Sequence, residues 1–436
     1  RALLRAGGIS PRLSRRAVEH YFRWGSVQEP DTIVDGVRCL PAGHHMTWRE
    51  GRSPVPTPFW EIQFDGTPTD EGAAHRTREA LLDSVQRHFV SDVPVGIFLS
   101  GGVDSTALVA LARQLNVRDL ATYCVSFEDG KFNEGDLAGR TARHFGTRHL
   151  DQRLDAVSAR GILDSFLGAM DQPSIDGFNT YCVSKVAREN GAKVVLSGLG
   201  SDELFGGYPS FLRAPRLIRL AGWLRKVPGV LPVAVAALRQ CRTSRRAPRL
   251  AAYFSGPPTP ERTYECMRGI FTGAEAALLA DRYAGAGGGG GTPAGPESSQ
   301  MDMQPTLADE ISRLELSRYM RNQLLRDSDV MSMAWGLELR VPFVDRLLVE
   351  ALGRIPSATR LARGKRLLLE AVPEIPAWIA GQPKRGFSFP FEHWMRHEWA
   401  DIFRRFEELS PVRLTTWYRR WSVFALENVL ERQGMG

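Results

Sequence analysis

Short runs of apolar residues alternate with segments of helical periodicity over residues 72–210. The apolar runs at 93–99, 121–127 and 193–197 predict buried strands, because each is short and is bounded by turn-forming residues. Helical spacing predicts helices at 75–90, 104–115, 134–146 and 178–190. Strands that alternate with helices in this way predict an α/β fold, in which a doubly wound parallel sheet is covered by helices on both faces.

The pattern changes on either side of this region. Before residue 60 the chain is rich in turn signals, and short apolar runs at 32–34 and 37–40 predict small strands. Beyond residue 210 the periodicity is mostly helical. It is interrupted at 284–300 by a stretch that contains the five-glycine run Gly287–Gly291, which predicts a flexible surface loop.

A glycine-rich turn joins the first predicted strand to the helix at 104–115. Gly101 and Gly102 let the backbone turn tightly and bring its N–H groups near a ligand, and the start of the helix favours an anion. Ser100 and Ser105 add hydroxyl donors, and Asp104 suits a Mg²⁺ ion held between carboxylate and phosphate oxygens. The turn is not a Walker A loop, because the Gly-Lys-Ser/Thr ending of that loop is missing. The alternative is an ordinary turn in which a side chain caps the helix.

A second glycine-rich turn follows the strand at 193–197. It begins with Ser197 and Gly198, continues through Leu199, and carries the carboxylates of Asp202 and Glu203. Ligands of open parallel sheets bind at the carboxyl ends of the strands, where such loops face each other. Two loops that each supply an aspartate therefore predict a clamp for magnesium pyrophosphate.

Four ordered motifs resemble those of the asparagine synthetase family, within the PP-loop ATP pyrophosphatases. The resemblance spans residues 20–400. Its motifs are the two glycine-rich loops, the segment 327–345 with Leu-Glu-Leu-Arg-Val-Pro-Phe-Val-Asp at its end, and the lysine-bearing segments at Gly364–Lys365, Pro383–Phe387 and Trp394.

The resemblance implies a reaction, and ATP and Mg²⁺ as cofactors. In that family a carboxylate attacks the α-phosphorus of ATP to give an acyl-adenylate and pyrophosphate, and an amine then displaces AMP to form an amide. By resemblance, Asp104 and Asp202 are the Mg²⁺ ligands, Lys384 neutralises the charge at phosphorus, and Lys365 supports the phosphates. The positions that contact adenosine, largely through the backbone, are by the same resemblance Leu99, Val125, Ser197 and Gly198.

Arg340 has two interpretations. Its guanidinium suits bidentate pairing with a substrate carboxylate. Alternatively it forms a structural ion pair with Glu338 or Asp345, and we favour that interpretation.

Leu199 stands where the asparagine-forming enzymes of this family carry a glutamate. An aliphatic side chain cannot accept a proton or hold a cation. Another group must then deprotonate the amine, or the substrate pocket differs. Candidates for that group are Glu203, Asp327 and Asp329. The substrate is therefore either aspartate, combined with ammonia, or a specialised carboxylate, as in β-lactam synthetases and peptide macrolactam cyclases.

The family's glutaminase domain begins with a nucleophilic cysteine, whereas this chain begins with Arg1. Residues 17–60 resemble only the tail of that domain and the bridge to the synthetase. We therefore expect a glutaminase remnant at 1–60, a synthetase domain at 61–400 and a helical tail at 401–436. Ammonia would come from a missing or separate glutaminase domain or from solution, or the nucleophile is an amine of the substrate. The oligomeric state stays open, a homodimer included.

The composition narrows the classes of protein to which the chain can belong. The net charge is +7, concentrated in arginine-rich stretches, and we interpret it as a solvated surface rather than a nucleic-acid site. No apolar run is long enough to predict a membrane span. Five scattered cysteines predict free thiols and a cytoplasmic protein.

A PP-loop tRNA-modifying enzyme fits the basic charge but not the Leu-Glu-Leu-Arg-Val-Pro-Phe segment. The retained Asp104, Asp202 and Lys384 argue against a catalytically silent scaffold.

Overall fold

A computed structural model describes residues 2–64, 70–127, 134–241, 244, 246–285, 306–382 and 389–435. The strands are β1 (His44–His45), β2 (Thr57–Pro58), β3 (Val95–Phe98), β4 (Ala121–Phe127), β5 (Arg148–Leu154), β6 (Val194–Leu196) and β7 (Glu338–Arg340). β1 and β2 form a small antiparallel pair. The others form one parallel sheet in the order β5-β4-β3-β6-β7. The parallel sheet that the alternation predicts is confirmed.

Helices surround this sheet. They are α1 (Ala2–Ala6), α2 (Arg15–Trp24), α3 (Ala73–His88), α4 (Val103–Gln114), α5 (Gly135–Phe145), α6 (Ala156–Ala169), α7 (Phe178–Glu189), α8 (Ser201–Phe205), α9 (Ser210–Lys226), α10 (Val230–Gln240), α11 (Ala247–Phe254), α12 (Pro260–Arg268), α13 (Gly273–Ala284), α14 (Leu307–Leu314), α15 (Arg326–Met333), α16 (Arg346–Gly353), α17 (Ser357–Arg360), α18 (Arg366–Ala371), α19 (Ala377–Ala380), α20 (Phe391–Trp394), α21 (Ala400–Leu409) and α22 (Trp417–Gln433). A π-helix, Glu315–Leu325, joins α14 to α15, and a 3₁₀ turn covers Pro342–Val344. None of the described helices combines the length and apolarity needed to cross a membrane.

The predicted small strands at 32–34 and 37–40 are wrong. The structure has only isolated bridges there, which pair Leu13 with Val34 and Asp31 with Arg38. The polar strand β5, at the edge of the sheet, and the three-residue strand β7 carry too few buried apolar residues to be recognised from periodicity. The glycine run of the predicted loop at 284–300 lies outside the described residues.

The sheet separates two hydrophobic cores. Along β6, Val195 packs into one core, while Val194 and Leu196 pack into the other. Along β4, Val125 belongs to the first core and the neighbouring Cys124 to the second. Successive side chains of a strand point to opposite faces, so a sheet that is covered on both faces needs apolar residues at nearly every position. This requirement explains the continuous apolar runs in the sequence.

The N-terminal and C-terminal segments share the first core. Ala17, Val18 and Tyr21 of α2 are fully buried in it, and the Tyr21 hydroxyl donates a hydrogen bond to the Ser422 carbonyl in α22 (2.8 Å). α2 also packs along α13. Residues 15–24 are thus built into the same core as the sheet, and the division at residues 60 and 400 stays a prediction.

A buried ion pair connects the second glycine-rich loop to the helices behind it. The guanidinium of Arg360 contacts the Asp309 carboxylate (2.7 Å) and donates hydrogen bonds to the Leu204 carbonyl of α8 and to the Ser312 hydroxyl (both 3.1 Å). The Arg360 side chain is fully buried. Removing one partner of such a pair leaves the other charge buried and uncompensated.

We therefore predict that Arg360→Ala lowers the free energy of unfolding by about 3–5 kcal/mol. The matched control is Arg346→Ala, because Arg346 forms an exposed pair with Glu350, and such pairs contribute about 1 kcal/mol or less. Urea unfolding of both variants checks the prediction. Equal losses in the two variants would contradict it.

Candidate active site

The first glycine-rich loop connects β3 to α4. The backbone N–H of Ser100 donates to the Ser105 hydroxyl (3.1 Å), and the hydroxyl of Thr106 donates to the Gly102 carbonyl (2.8 Å). Gly102 occupies the N-cap position of α4 and has no side chain to cap the helix. The N–H groups of the first helical turn are therefore available to an anion, as the sequence predicts.

The second loop packs directly against the first. A Cβ atom at Gly198 would lie 3.0 Å from the Cβ of Asp104 and 3.0 Å from the backbone nitrogen of Ser105. The hydroxyl of Ser201 donates to Asp104 Oδ1 (2.7 Å). The structure thus brings together the two loops that the sequence predicts to face each other, at the carboxyl ends of β3 and β6.

Lys365 lies where these loops meet. Its ammonium contacts the carboxylates of both Asp104 and Asp202, at 2.5 Å from Asp202 Oδ1. Its side chain is only 6% exposed. Burial alone lowers the pKa of Lys365, but the two carboxylates outweigh burial and raise this pKa above its ordinary value. The amine is therefore a fixed positive charge between two negative ones.

The backbone around this lysine is constrained. Lys365 has a φ of 57°, in the left-handed region that side chains other than glycine rarely adopt. At Gly207, a Cβ atom would lie 1.8 Å from Asp202 Oδ1 and 2.7 Å from the Cε of Lys365. Only glycine at position 207 leaves room for the ion pair.

The residues fit a magnesium ion in chemical type. Asp104 and Asp202 supply carboxylate oxygens, which Mg²⁺ prefers, and they already converge on one cation, the ammonium of Lys365. Within the described ranges no three His, Cys, Asp or Glu side chains form a metal site. A Mg²⁺ ion held here would take its other ligands from phosphate oxygens and water.

The predicted adenosine contacts lie along the same edge of the sheet. Leu99 is buried directly after β3, and Ser197 is buried directly after β6, beside Gly198. Val125 is buried inside β4, so only its backbone can reach a ligand.

Glu203 is buried beside this site. Its Oε1 accepts a hydrogen bond from the Tyr208 hydroxyl (2.8 Å), and its Oε2 accepts none from the described residues. Burial raises the pKa of Glu203 to about 8, and the negative charges of Asp202 and Glu315 act in the same direction. The carboxyl is therefore largely protonated at neutral pH.

Of the other predicted candidates, Arg340, Asp329 and Leu199 lie within the described residues. The Arg340 side chain donates to Glu338 (2.7 Å) and to the carbonyls of His88 and Val90 (both 2.8 Å), which is the structural pairing that we favoured. Asp329 is exposed on α15. Leu199 packs against the second core. Lys384 lies outside the described residues.

Sequence reasoning missed a cavity of about 400 Å³. Its lining comes from distant segments, including α2, α12, the π-helix and the residues after 388. Charged residues of the lining include Asp176, Arg268 and Arg318. Burial raises the pKa of Asp176. No local motif signals these residues, because they converge only in the folded chain.

The parallel sheet and the paired glycine-rich loops at its carboxyl edge are those of a PP-loop, HUP-like α/β protein. The family model described as asparagine synthase matches residues 76–428. The chain belongs to the asparagine synthase family, a family of ATP-dependent amide ligases.

Three relatives illustrate the similarity. A Mycobacterium tuberculosis protein with the provisional name of asparagine synthetase (glutamine-hydrolysing) is 32% identical, over 90% of this chain and 61% of its own length. Asparagine synthetase (glutamine-hydrolysing) 1 of Bacillus subtilis is 30% identical over 92% of this chain and 63% of its own. "Amidase chry2" of Gibberella zeae is 23% identical over 83% and 60%. The chain thus spans about three fifths of the length of these relatives.

We predict that Gly198→Ala weakens ATP binding about tenfold or more, because the added methyl group contacts the backbone of the first loop. The control is Gly161→Ala in α6, where an added Cβ has nothing within 4 Å. That change should leave ATP affinity unaltered and raise stability by about 0.5–1 kcal/mol. Calorimetric titration with ATP decides between these outcomes, and unchanged affinity in Gly198→Ala would count against the loop contact.

Glu203 should make stability depend on pH. Its pKa rises from 4.5 to about 8 on folding, so its contribution is fully present below pH 4.5 and is lost as pH rises towards 8. We predict that the unfolding free energy of the native protein falls by roughly a few kcal/mol over this range, relative to that of Glu203→Gln. Urea unfolding at several pH values tests this. The exposed Glu261→Gln should follow the native protein, and parallel curves for native protein and Glu203→Gln would refute the assignment.

Proposed function

We propose that this chain uses ATP to activate a carboxylate and then joins it to an amine or ammonia. The observation that carries the proposal is the buried ammonium of Lys365 between Asp104 and Asp202, where two glycine-rich loops meet. Such a site offers backbone N–H groups, a fixed cation and two possible metal ligands within one small region. Membership of the asparagine synthase family supports the same chemistry.

The proposed reaction has two steps. A carboxylate oxygen of the substrate attacks the α-phosphorus of ATP, forming a P–O bond as the bond to the bridging oxygen of pyrophosphate breaks. The amine nitrogen then attacks the acyl carbon of the adenylate, AMP leaves with the electron pair of the C–O bond, and a base takes the proton from nitrogen. The products are an amide, AMP and pyrophosphate.

The chain's own residues bind and neutralise the phosphates. The N–H groups at the start of α4 bind phosphate oxygens, and Lys365 exchanges its carboxylate contacts for contacts with the phosphates. Lys384 is assigned, by resemblance, to the charge that develops at the α-phosphorus. Mg²⁺ held by Asp104 and Asp202 would screen the pyrophosphate. Catalysis of this kind depends mainly on position and electrostatics.

Proton removal from the amine needs a group other than Leu199. Burial raises the pKa of Glu203 to about 8 and that of Asp327 to about 7. A pKa near the working pH suits proton transfer. Glu203 directly follows Asp202 in the second loop, whereas Asp327 accepts a hydrogen bond from Ser174 inside the helical region. We therefore propose that Glu203 accepts the proton, through the minor fraction of its carboxyl that is ionised near neutral pH.

We also infer the class of the substrate and the source of the nitrogen. Because Leu199 packs against the core and supplies no polar group, we favour a specialised carboxylate over aspartate. The nitrogen is either an amine of the substrate or ammonia, which a glutaminase domain or subunit would supply.

Incubation with ATP, Mg²⁺ and a panel of carboxylates, with ammonium and glutamine compared as donors, should release AMP and pyrophosphate in equal amounts. ADP and phosphate as products would contradict the mechanism.

We predict that Lys384→Ala slows turnover by about 10²–10³-fold but leaves ATP affinity nearly unchanged, since its interaction belongs to the transition state. Lys226→Ala is the matched control, because Lys226 is exposed on α9.

A further inference from the structure

The 400 Å³ cavity adjoins the carboxyl edge of the sheet. Phe389 lines it and packs on Phe127, the last residue of β4, with ring centroids 4.5 Å apart. On another side, the Arg268 guanidinium lies 4.2 Å from the ring of Tyr208, whose hydroxyl reaches Glu203. Arg268 and Tyr208 therefore connect the cavity to the second loop, although no residue of either glycine-rich loop is among those that line it.

Aromatic residues make up eight of the twenty described residues that line the cavity. They include Trp24 of α2, Tyr264 of α12, Phe391 of α20 and Trp417 of α22. The volume lies within the range of about 300–1,000 Å³ that is usual for small-molecule sites. A four-carbon acid such as aspartate would leave most of these rings uncontacted. The walls fit a planar apolar group, which gains from aromatic contact.

Three arginines line the cavity, and their contacts differ. Arg268 forms an ion pair with Glu315 (2.8 Å), and Arg249 donates a hydrogen bond to the Gly269 carbonyl. Arg318 lies with its guanidinium 5.4 Å from the Trp24 ring and makes no hydrogen bond or ion pair with any residue in the described part of the chain. It is thus a cation beside aromatic walls, with its donors available.

The reacting carboxylate has to meet ATP at the loops. An anion bound by Arg318 must then be a second group of the same molecule. Guanidinium donors pair strongly with carboxylates, most of all in partly dry surroundings.

We propose that this cavity binds the acceptor acid of the amide-forming reaction, that this acid carries an aromatic group and a second anionic group, and that Arg318 is the specificity-determining residue that pairs with the second anion. The inference rests on the proposed function for the identity of the reacting group. It excludes aspartate as the preferred acceptor.

Calorimetric titration without ATP tests the cavity separately from catalysis. The probes are phenylsuccinate, which has a ring and two carboxylates, succinate, which lacks the ring, and 3-phenylpropionate, which lacks the second carboxylate. We expect phenylsuccinate to bind at least tenfold more tightly than either of the others. Arg318→Gln should remove at least tenfold of that affinity, and Arg318→Lys should keep part of it.

Arg216→Gln is the matched control, because Arg216 is exposed on α9 and lies outside the cavity. Equal affinity for phenylsuccinate and succinate in the native protein would overturn the inference, and so would unchanged affinity in a folded Arg318→Gln. If that variant fails to fold, the affinities of the native protein and of Arg318→Lys for the three probes still decide whether the cavity prefers an acid with a ring and two carboxylates.

Pyrophosphate release with ATP separates the two proposals. Binding of phenylsuccinate without pyrophosphate release from any acid would contradict the proposed function and leave the cavity assignment standing. If succinate or aspartate supports pyrophosphate release, and phenylsuccinate neither supports nor inhibits that release, the cavity assignment alone is contradicted.

Discussion

The candidate site depends on an ion pair in which one ammonium contacts two carboxylates. All three groups are largely withdrawn from water. Asp104 comes from the start of α4, Asp202 from α8, and Lys365 from the turn before α18. Like charges at such distances repel strongly in a medium of low dielectric constant, so the aspartates need the lysine between them. Three segments that are far apart in the sequence are thereby held in one arrangement by charge.

The same arrangement affects how ligands enter. If Asp104 and Asp202 hold Mg²⁺ as proposed, the ion alone has to compete with an ammonium that already contacts both carboxylates, and ATP alone would bring further negative charge to the aspartates. Metal and nucleotide together add opposite charges, while the lysine gains phosphate oxygens in exchange for carboxylate oxygens. Under the proposed function each ligand would therefore favour the binding of the other, a coupling that arises from charge balance and needs no large conformational change.

Local sequence patterns account for much of the fold and for the two loops. The apolar runs at 121–127 and 193–197 mark strands buried on both faces, and glycines after a strand mark the loops. The patterns miss β5 because its single buried residue, Leu154, leaves no period to detect. They also miss the cavity, since Trp24, Arg318 and Phe389 meet only through tertiary packing. Resemblance alone predicts that Lys365 lies near the phosphates, and its pairing with both aspartates is visible only in the folded chain.

The π-helix between α14 and α15 places Arg318 in the cavity and its near neighbours Leu316 and Met320 in the second core. Hydrogen bonds in such a helix join residues five apart, so it holds one residue more than the α-helical register would allow. Loss of a single residue within 315–325 would permit α-helical bonding to resume and would turn the side chains on one side of the deletion by about 100° relative to those on the other. A deletion between α14 and Arg318 would thus turn Arg318 about a quarter of a turn from its present direction relative to α14. Among related chains, a one-residue length difference at this helix therefore carries as much information about the acceptor as any substitution in the cavity.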